Sequence, residues 1–323
     1  FRKSTRVNAS MMKLNQLIIS PNIRKWYSRL LLLLVLFFVC YYIFLNFSEI
    51  RRFKYDLEWI YLFYSILSFL ISYLLQIFIW YRLASSFGLK ASFLPTAKCW
   101  SLSQLGKYIP GKIGLFLVRM DLYSNASKRV VAFATGVEFI TSMTAAFIIV
   151  LISIAFLPKT VPAYIRTTAI SFVIFFLLIL YPPILKKISA IIFKLIHKEP
   201  LTELPTYGLL IKFVFANIII GLPYGLGIYY AFNCFHPIGW NLFLTLTGVY
   251  YAASLIGVAA FFAPAGIGVR EGFALLILPA FMAQPVVIFG TILTRFLITF
   301  VEIILAALFP MVEFFSKCRK SNL

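Results

Sequence analysis

Charge is scarce in this chain, and acidic charge scarcer still: 12% of its 323 residues are Asp, Glu, Lys or Arg, and only ten of those are acidic. A soluble domain carries about 25% charged residues, so a water-soluble globule is excluded. Histidine occurs twice, as His197 and His236, and cysteine four times, as Cys40, Cys99, Cys234 and Cys318, with no CxxC. Neither a zinc site nor a disulfide framework is indicated, and no metal or cofactor is expected. The chain has no Walker loop, no GxSxG and no HExxH, so no catalytic residue is assigned.

What the chain does have is apolar length. Hydrophobic residues make up 62% of it, with 35 Phe, 18 Tyr and 5 Trp, beside 30 Lys and Arg that bring the net charge to +20. A hydrocarbon core of about 30 Å takes on the order of 20 apolar helical residues. Stretches 30–47, 59–81, 131–157, 162–184, 209–232, 241–262 and 286–312 meet that requirement. Nucleic-acid binding is set aside because the cations sit between these segments, where anionic lipid attracts them. The first stretch is basic on its leading side, through Arg24, Lys25 and Arg29. It lacks a small-residue cleavage site and is read as a retained anchor. The chain begins without Met, with Met11 and Met12 as candidate starts.

Orientation follows from the basic residues of short loops. Seven precede Leu30, eight lie in 82–129, and Lys186, Lys187, Lys194 and Lys198 lie in 185–206. These fall on one side, predicted to be cytoplasmic along with the N-terminus, if 93–124 enters and leaves by the same face. Lys317, Arg319 and Lys320 join them only if 263–284 makes a broken eighth crossing; re-entry of that segment is the alternative. Between Leu185 and Glu199, apolar residues on one helical face and lysines around the other suit a helix in the headgroup layer or an ordinary basic loop.

Two apolar stretches are too broken to cross simply. The first reads Tyr108-Ile109-Pro110-Gly111-Lys112-Ile113-Gly114, with Arg119 five residues on. The second reads Ala263-Pro264-Ala265-Gly266-Ile267-Gly268-Val269-Arg270-Glu271. Within a bilayer such breaks are tolerated where they are buried in protein or line a wet cavity. Their matched Pro, Gly, Ile-Gly and Arg suggest an internal duplication, and repeat-built transporters bind substrate where broken helices meet. The alternative is a pair of tight turns, with Gly supplying positive φ and Pro starting the next helix. Arg295 lies about 15 Å into the last span by helix rise, where a charge costs at least ~2.5–3.5 kcal/mol and needs a partner. Glu302, almost on the same face, and Glu271 and Glu138 are the deep carboxylates. A polar cavity follows in which Arg119, Arg270 and Arg295 receive a phosphate, since a guanidinium can bond two oxygens at once. Glu138, Glu271 and Glu302 would balance them or receive an ammonium. Structural ion pairs between helices are the competing reading.

The segment from Gln104 through Pro110-Gly111 to Gly114, with Arg119 and Glu138, then Pro264-Ala-Gly-Ile-Gly-Val-Arg-Glu271, and finally Arg295, resembles the membrane region of lysylphosphatidylglycerol synthase and the flippase-like proteins related to it. The likeness runs from about 30 to 312. It implies translocation of aminoacylated phosphatidylglycerol or another lipid between leaflets of a bacterial inner membrane. The chain stops eleven residues past Val312, so a stand-alone member without the aminoacyl-transferase domain is expected. Two departures stand out: Leu115 follows Gly114 where the family often has Glu, and Phe139 follows Glu138 where Arg is common.

The expectation is therefore an all-α polytopic membrane protein of about seven to eight transmembrane helices. Two broken, re-entrant segments form an internal repeat marked by Pro110, Gly111, Gly114, Pro264, Gly266 and Gly268. A basic segment (1–29) precedes one membrane domain (30–312), with repeat 1 at about 30–157, a connector at 158–206 and repeat 2 at about 207–312; a basic tail (313–323) follows. The substrate-binding candidates are Arg119, Glu138, Arg270, Glu271, Arg295 and Glu302, and the partner is a membrane phospholipid. An alternative is a non-transporting subunit that presents a lipid to a cytoplasmic lipid-modifying enzyme. A membrane-embedded transferase is disfavoured by the shortage of acids and histidines.

Overall fold

The computed structural model describes residues 57–89, 92–108, 114–123, 126–156, 163–195, 204–260 and 263–321. The basic N-terminal segment, the stretch 30–47, Pro110, Gly111, Cys40 and His197 lie outside the described residues. Among those described, every regular element is helical. The long helices are α1 (Trp59–Ser86), α4 (Lys128–Ala155), α7 (Tyr207–Asn233), α8 (Phe243–Ala259) and α10 (Gln284–Ser321). The others are α2 (Phe93–Leu105), α3 (Gly114–Leu122), α5 (Ala163–Leu180), α6 (Pro182–Leu195) and α9 (Val269–Ile277).

Five helices are long and apolar enough to cross a membrane, or six if one bent pair is counted as a single span. This is an all-α, multi-pass integral membrane protein. The expected count of seven to eight is not reached among the described residues, and the bent pair lies at neither Pro/Gly motif. It joins α5 to α6 at an angle of 74°. The cause is local: Tyr181 precedes Pro182-Pro183, a proline disfavours helix in the residue before it, and at the first helical positions its missing N–H costs nothing. The span expected to run through 184 therefore ends at Leu180.

Helix α7 is the hub, packed against α1, α4, α8 and α10. In lipid there is little hydrophobic drive between helices, so small residues that admit close packing hold the bundle together. A β-carbon at Gly221 would meet Ile149 of α4 at 2.5 Å, and one at Gly227 would meet the Phe69 ring of α1 at 2.7 Å. Gly225 faces Thr247 of α8 in the same way. Ser65 closes the α1 contact by donating to the Gly227 carbonyl at 2.6 Å. The GxxxG run 221–225 is thus a packing surface.

Contacts at the helix ends fix how the chain runs. At one end the Glu58 N–H, just before α1, donates to the Cys234 carbonyl, just after α7, at 3.1 Å. Phe235 packs on Phe289 near the start of α10, and Trp240 stacks on Tyr229 at 4.5 Å. At the opposite end Lys98 of α2 pairs with Glu313 of α10 at 2.8 Å, and Phe87 after α1 meets Phe133 of α4. Tyr123, just after α3, accepts from Trp80 near the end of α1 at 3.0 Å, whereas Trp240 before α8 and Phe289 in the first turns of α10 both lie near the first end. The turns that follow α2 (Gly106–Tyr108) and α8 (Pro264–Gly266) touch each other inside the bundle.

Two cysteines among the described residues, Cys99 and Cys234, are free and buried. Burial pushes the Cys234 thiol up to about 11, so at neutral pH it is a small protonated side chain.

Candidate functional site

The second broken segment owes its shape to three residues with left-handed backbone, Ala265 (φ 51°), Gly266 (φ 70°) and Gly268 (φ 81°). Glycine adopts that region freely, and Ala265 does so at a cost of roughly 1 kcal/mol. The chain thereby reverses between α8 and α9. Glu271, in the first turn of α9, reaches back so that its Oε2 accepts the Gly268 N–H at 2.6 Å. Its Oε1 faces Arg295 Nε of α10 at 3.6 Å.

Arg270 lies over bare backbone. A β-carbon at Gly257 would meet its Cγ at 2.8 Å and Nε at 2.9 Å, and one at Gly266 would meet Nε at 3.0 Å. The two glycines form a cradle that only a residue without a side chain can provide. Arg270 and Arg295 both line a small cavity together with Glu271, Tyr224, Tyr250, Ser254, Thr291 and Thr294. Arg270 Nε and the Arg295 Nη2 are buried without a hydrogen-bond partner. A buried, unpaired guanidinium N–H is costly, and both arginines line the cavity, where an anion would offset their charge.

One layer away, Glu302 is held by three donors. Lys107 and Tyr73 bond its Oε1, and the Tyr108 hydroxyl donates to its Oε2 at 3.0 Å. Glu302 is only 2% exposed. Tyr108 also lies 3.2 Å from Thr299 and has the Arg295 guanidinium 5.8 Å from its ring centre. The first broken segment therefore touches α10 through Lys107 and Tyr108, one layer behind the residues that line the cavity.

Arg119 and Glu138 are brought together, but away from that lining. Arg119 is fully buried, pairs with Glu138, donates from Nε to Ser103 at 3.0 Å and lies 4.1 Å over the Trp80 ring. Trp100 donates to the other Glu138 oxygen at 2.8 Å. The cluster ties α1, α2, α3 and α4 together. Gly114 stands where the arms of the first segment cross: a β-carbon at Gly106 would lie 2.7 Å from the Gly114 carbonyl.

Of the candidate residues, Arg270, Glu271 and Arg295 share one cavity, Glu302 backs it, and Arg119 and Glu138 partner each other elsewhere. Lys107, Tyr108, Tyr73, Tyr224, Tyr250, Thr291 and Thr294 were not singled out in the sequence. A signal existed for the threonines. Thr291, Thr294, Arg295, Ile298 and Glu302 recur at helical spacing on one face of α10.

Fold and site together define a multi-pass helical membrane protein with a charged cavity inside its bundle. The family profile described as "Lysylphosphatidylglycerol synthase TM region" matches residues 25–307, and the chain belongs to that family. Its transmembrane region is thus of the lysylphosphatidylglycerol-synthase type, consistent with a flippase-like role in moving lipid headgroups. No curated protein matches the chain.

Proposed function

We propose that this protein is a lipid translocase of the bacterial cytoplasmic membrane. A phosphate-bearing headgroup passes through the cavity lined by Arg270 and Arg295 while its acyl chains stay in lipid. Arg270 and Arg295 hold the phosphate, and Glu271 orients Arg295 while fixing the turn that carries Arg270. The observation that carries this reading is that two arginines, each with a buried guanidinium nitrogen lacking a hydrogen bond, line one cavity. Family membership supports it. So does the contact between the turns that follow α2 and α8, since repeat-built transporters place substrate where broken helices meet.

In this reading 93–124 and the arm 263–284 that returns from α8 are the broken segments of a duplicated unit; the segment 30–47, read from the sequence as a further span, lies outside the described residues. The end bearing Lys128, Arg129 and the lysines of α6 faces the cytoplasm, as basic residues flanking spans do. Helix α6, with Lys186, Lys187 and Lys194 exposed beside Ile184 and Ile191, lies along the headgroups of that leaflet.

The test is headgroup movement by purified protein in liposomes, read as protection of a fluorescent lipid from an external quencher. Arg295→Ala and Glu271→Ala are expected to abolish movement while the protein stays folded. Variants that move lipid at the wild-type rate would reject the assignment. Wild-type protein that moves nothing but co-purifies with a lipid-modifying enzyme would favour the accessory reading.

A further inference from the structure

Charge around the cavity does not balance. Arg270 and Arg295 face it with Glu271, while Lys107 and Glu302 behind it cancel each other, which leaves one net positive charge. Neither carboxylate is open to a second cation. Glu271 has one oxygen on the Gly268 N–H and the other beside Arg295, and both Glu302 oxygens already accept from Lys107, Tyr73 and Tyr108. The other deep carboxylate of the bundle, Glu138, is closed off by Arg119 and Trp100. An ammonium entering here would meet two guanidinium groups and no free acid.

The hydroxyls supply a second, independent observation. Buried threonines and serines in these helices generally bond the carbonyl four residues back, as Thr135, Thr144, Ser153 and Thr247 do. Thr291 and Thr294 do not, although they are 2% and 0% exposed. Their Oγ1 atoms and the Tyr250 hydroxyl lie close together on the cavity wall, and none has a hydrogen-bond partner of good geometry. Buried hydroxyls left this way are costly unless a ligand pairs with them. Ser254 and Tyr224 add two more polar side chains to the same wall.

From these observations, and resting on the translocase reading, we infer that the headgroup selected is an anionic phosphodiester carrying free hydroxyls and no ammonium, a polyol phosphate lipid such as phosphatidylglycerol. The arginines take the phosphate, and Tyr250, Thr291 and Thr294 take the hydroxyls beyond it. A lysyl ester on the same lipid adds two ammonium charges beside Arg270 and Arg295 and is rejected.

The experiment compares transport of labelled phosphatidylglycerol, lysylphosphatidylglycerol and phosphatidic acid by the wild-type protein in liposomes. Phosphatidylglycerol is expected to move at least tenfold faster than its lysyl ester. The double variant Thr291→Val, Thr294→Val is expected to slow phosphatidylglycerol about tenfold more than phosphatidic acid, which has no headgroup hydroxyl beyond the phosphate. Equal or faster movement of the lysyl ester overturns the inference and leaves the translocase reading standing, as does a double variant that moves phosphatidylglycerol at the wild-type rate. Movement of none of the three lipids overturns both. Thermal stabilisation by soluble glycerol phosphate without any lipid movement assigns the cavity to a water-soluble anion and also overturns both.

Discussion

Gly257→Ala tests whether the position of Arg270 matters, with little confounding loss of fold. The added β-carbon would lie 2.8 Å from Arg270 Cγ and 2.9 Å from Nε, where carbon atoms in good contact sit about 3.5–4.0 Å apart. The side chain must therefore retreat by about 1 Å. Gly257 lies within α8, so alanine contributes about 1 kcal/mol of helix propensity against an overpacking cost of about 1–3 kcal/mol. The net loss of at most about 2 kcal/mol leaves the protein folded. Losing one hydrogen bond to a charged group costs about 1.5–3 kcal/mol, which predicts a fall in lipid movement of roughly 10- to 100-fold. Gly136→Ala is the matched control, because a β-carbon there meets no atom within 4 Å. Liposome transport, with thermal unfolding in detergent measured on the same preparations, reads the result. A Gly257→Ala protein that moves lipid as fast as Gly136→Ala would refute the argument that the glycine cradle sets the site.

Other substitutions separate the site from its supports. Lys107→Met leaves the buried Glu302 charge without its cation, and breaking a buried pair in this way costs about 3–5 kcal/mol. The unfolding midpoint should fall by several degrees, and adding Glu302→Gln should recover part of it; an unchanged midpoint contradicts the pairing. Arg119→Met should destabilise to a similar extent by stranding Glu138, and Arg119→Lys should recover only part, because an ammonium cannot reach Ser103 and Glu138 while lying flat on Trp80. Full stability of Arg119→Lys would contradict that account of the brace.

The apolar runs located the described spans well because hydrophobic length is a local property. The stretches 59–81, 131–157, 209–232, 241–262 and 286–312 each fall largely within a long helix. The end of the 162–184 span was misplaced by four residues, since apolar length outweighed the Tyr-Pro-Pro break that bends the chain. Arg270, Glu271 and Arg295 were legible as a group because buried charges must find partners. Which charge meets which was not. A spacing of seven residues put Arg295 and Glu302 almost on one face of the last helix, yet a shared face does not reveal what stands opposite. Arg295 faces Glu271, and Glu302 faces Lys107 and two tyrosines, one of them from α1, more than 200 residues away in sequence. The tyrosine and threonine hydroxyls were hidden for a related reason. In an apolar helix such residues read as packing or back-bonded side chains, and only the assembled wall leaves them without partners.

The most direct test of the central claim is an experimental density map of the protein in nanodiscs made with phosphatidylglycerol. A lipid phosphate within hydrogen-bonding reach of both Arg270 and Arg295, with its acyl chains leaving between helices, is the predicted result. A cavity without lipid, or headgroups bound only at the outer surface of the bundle, would contradict it.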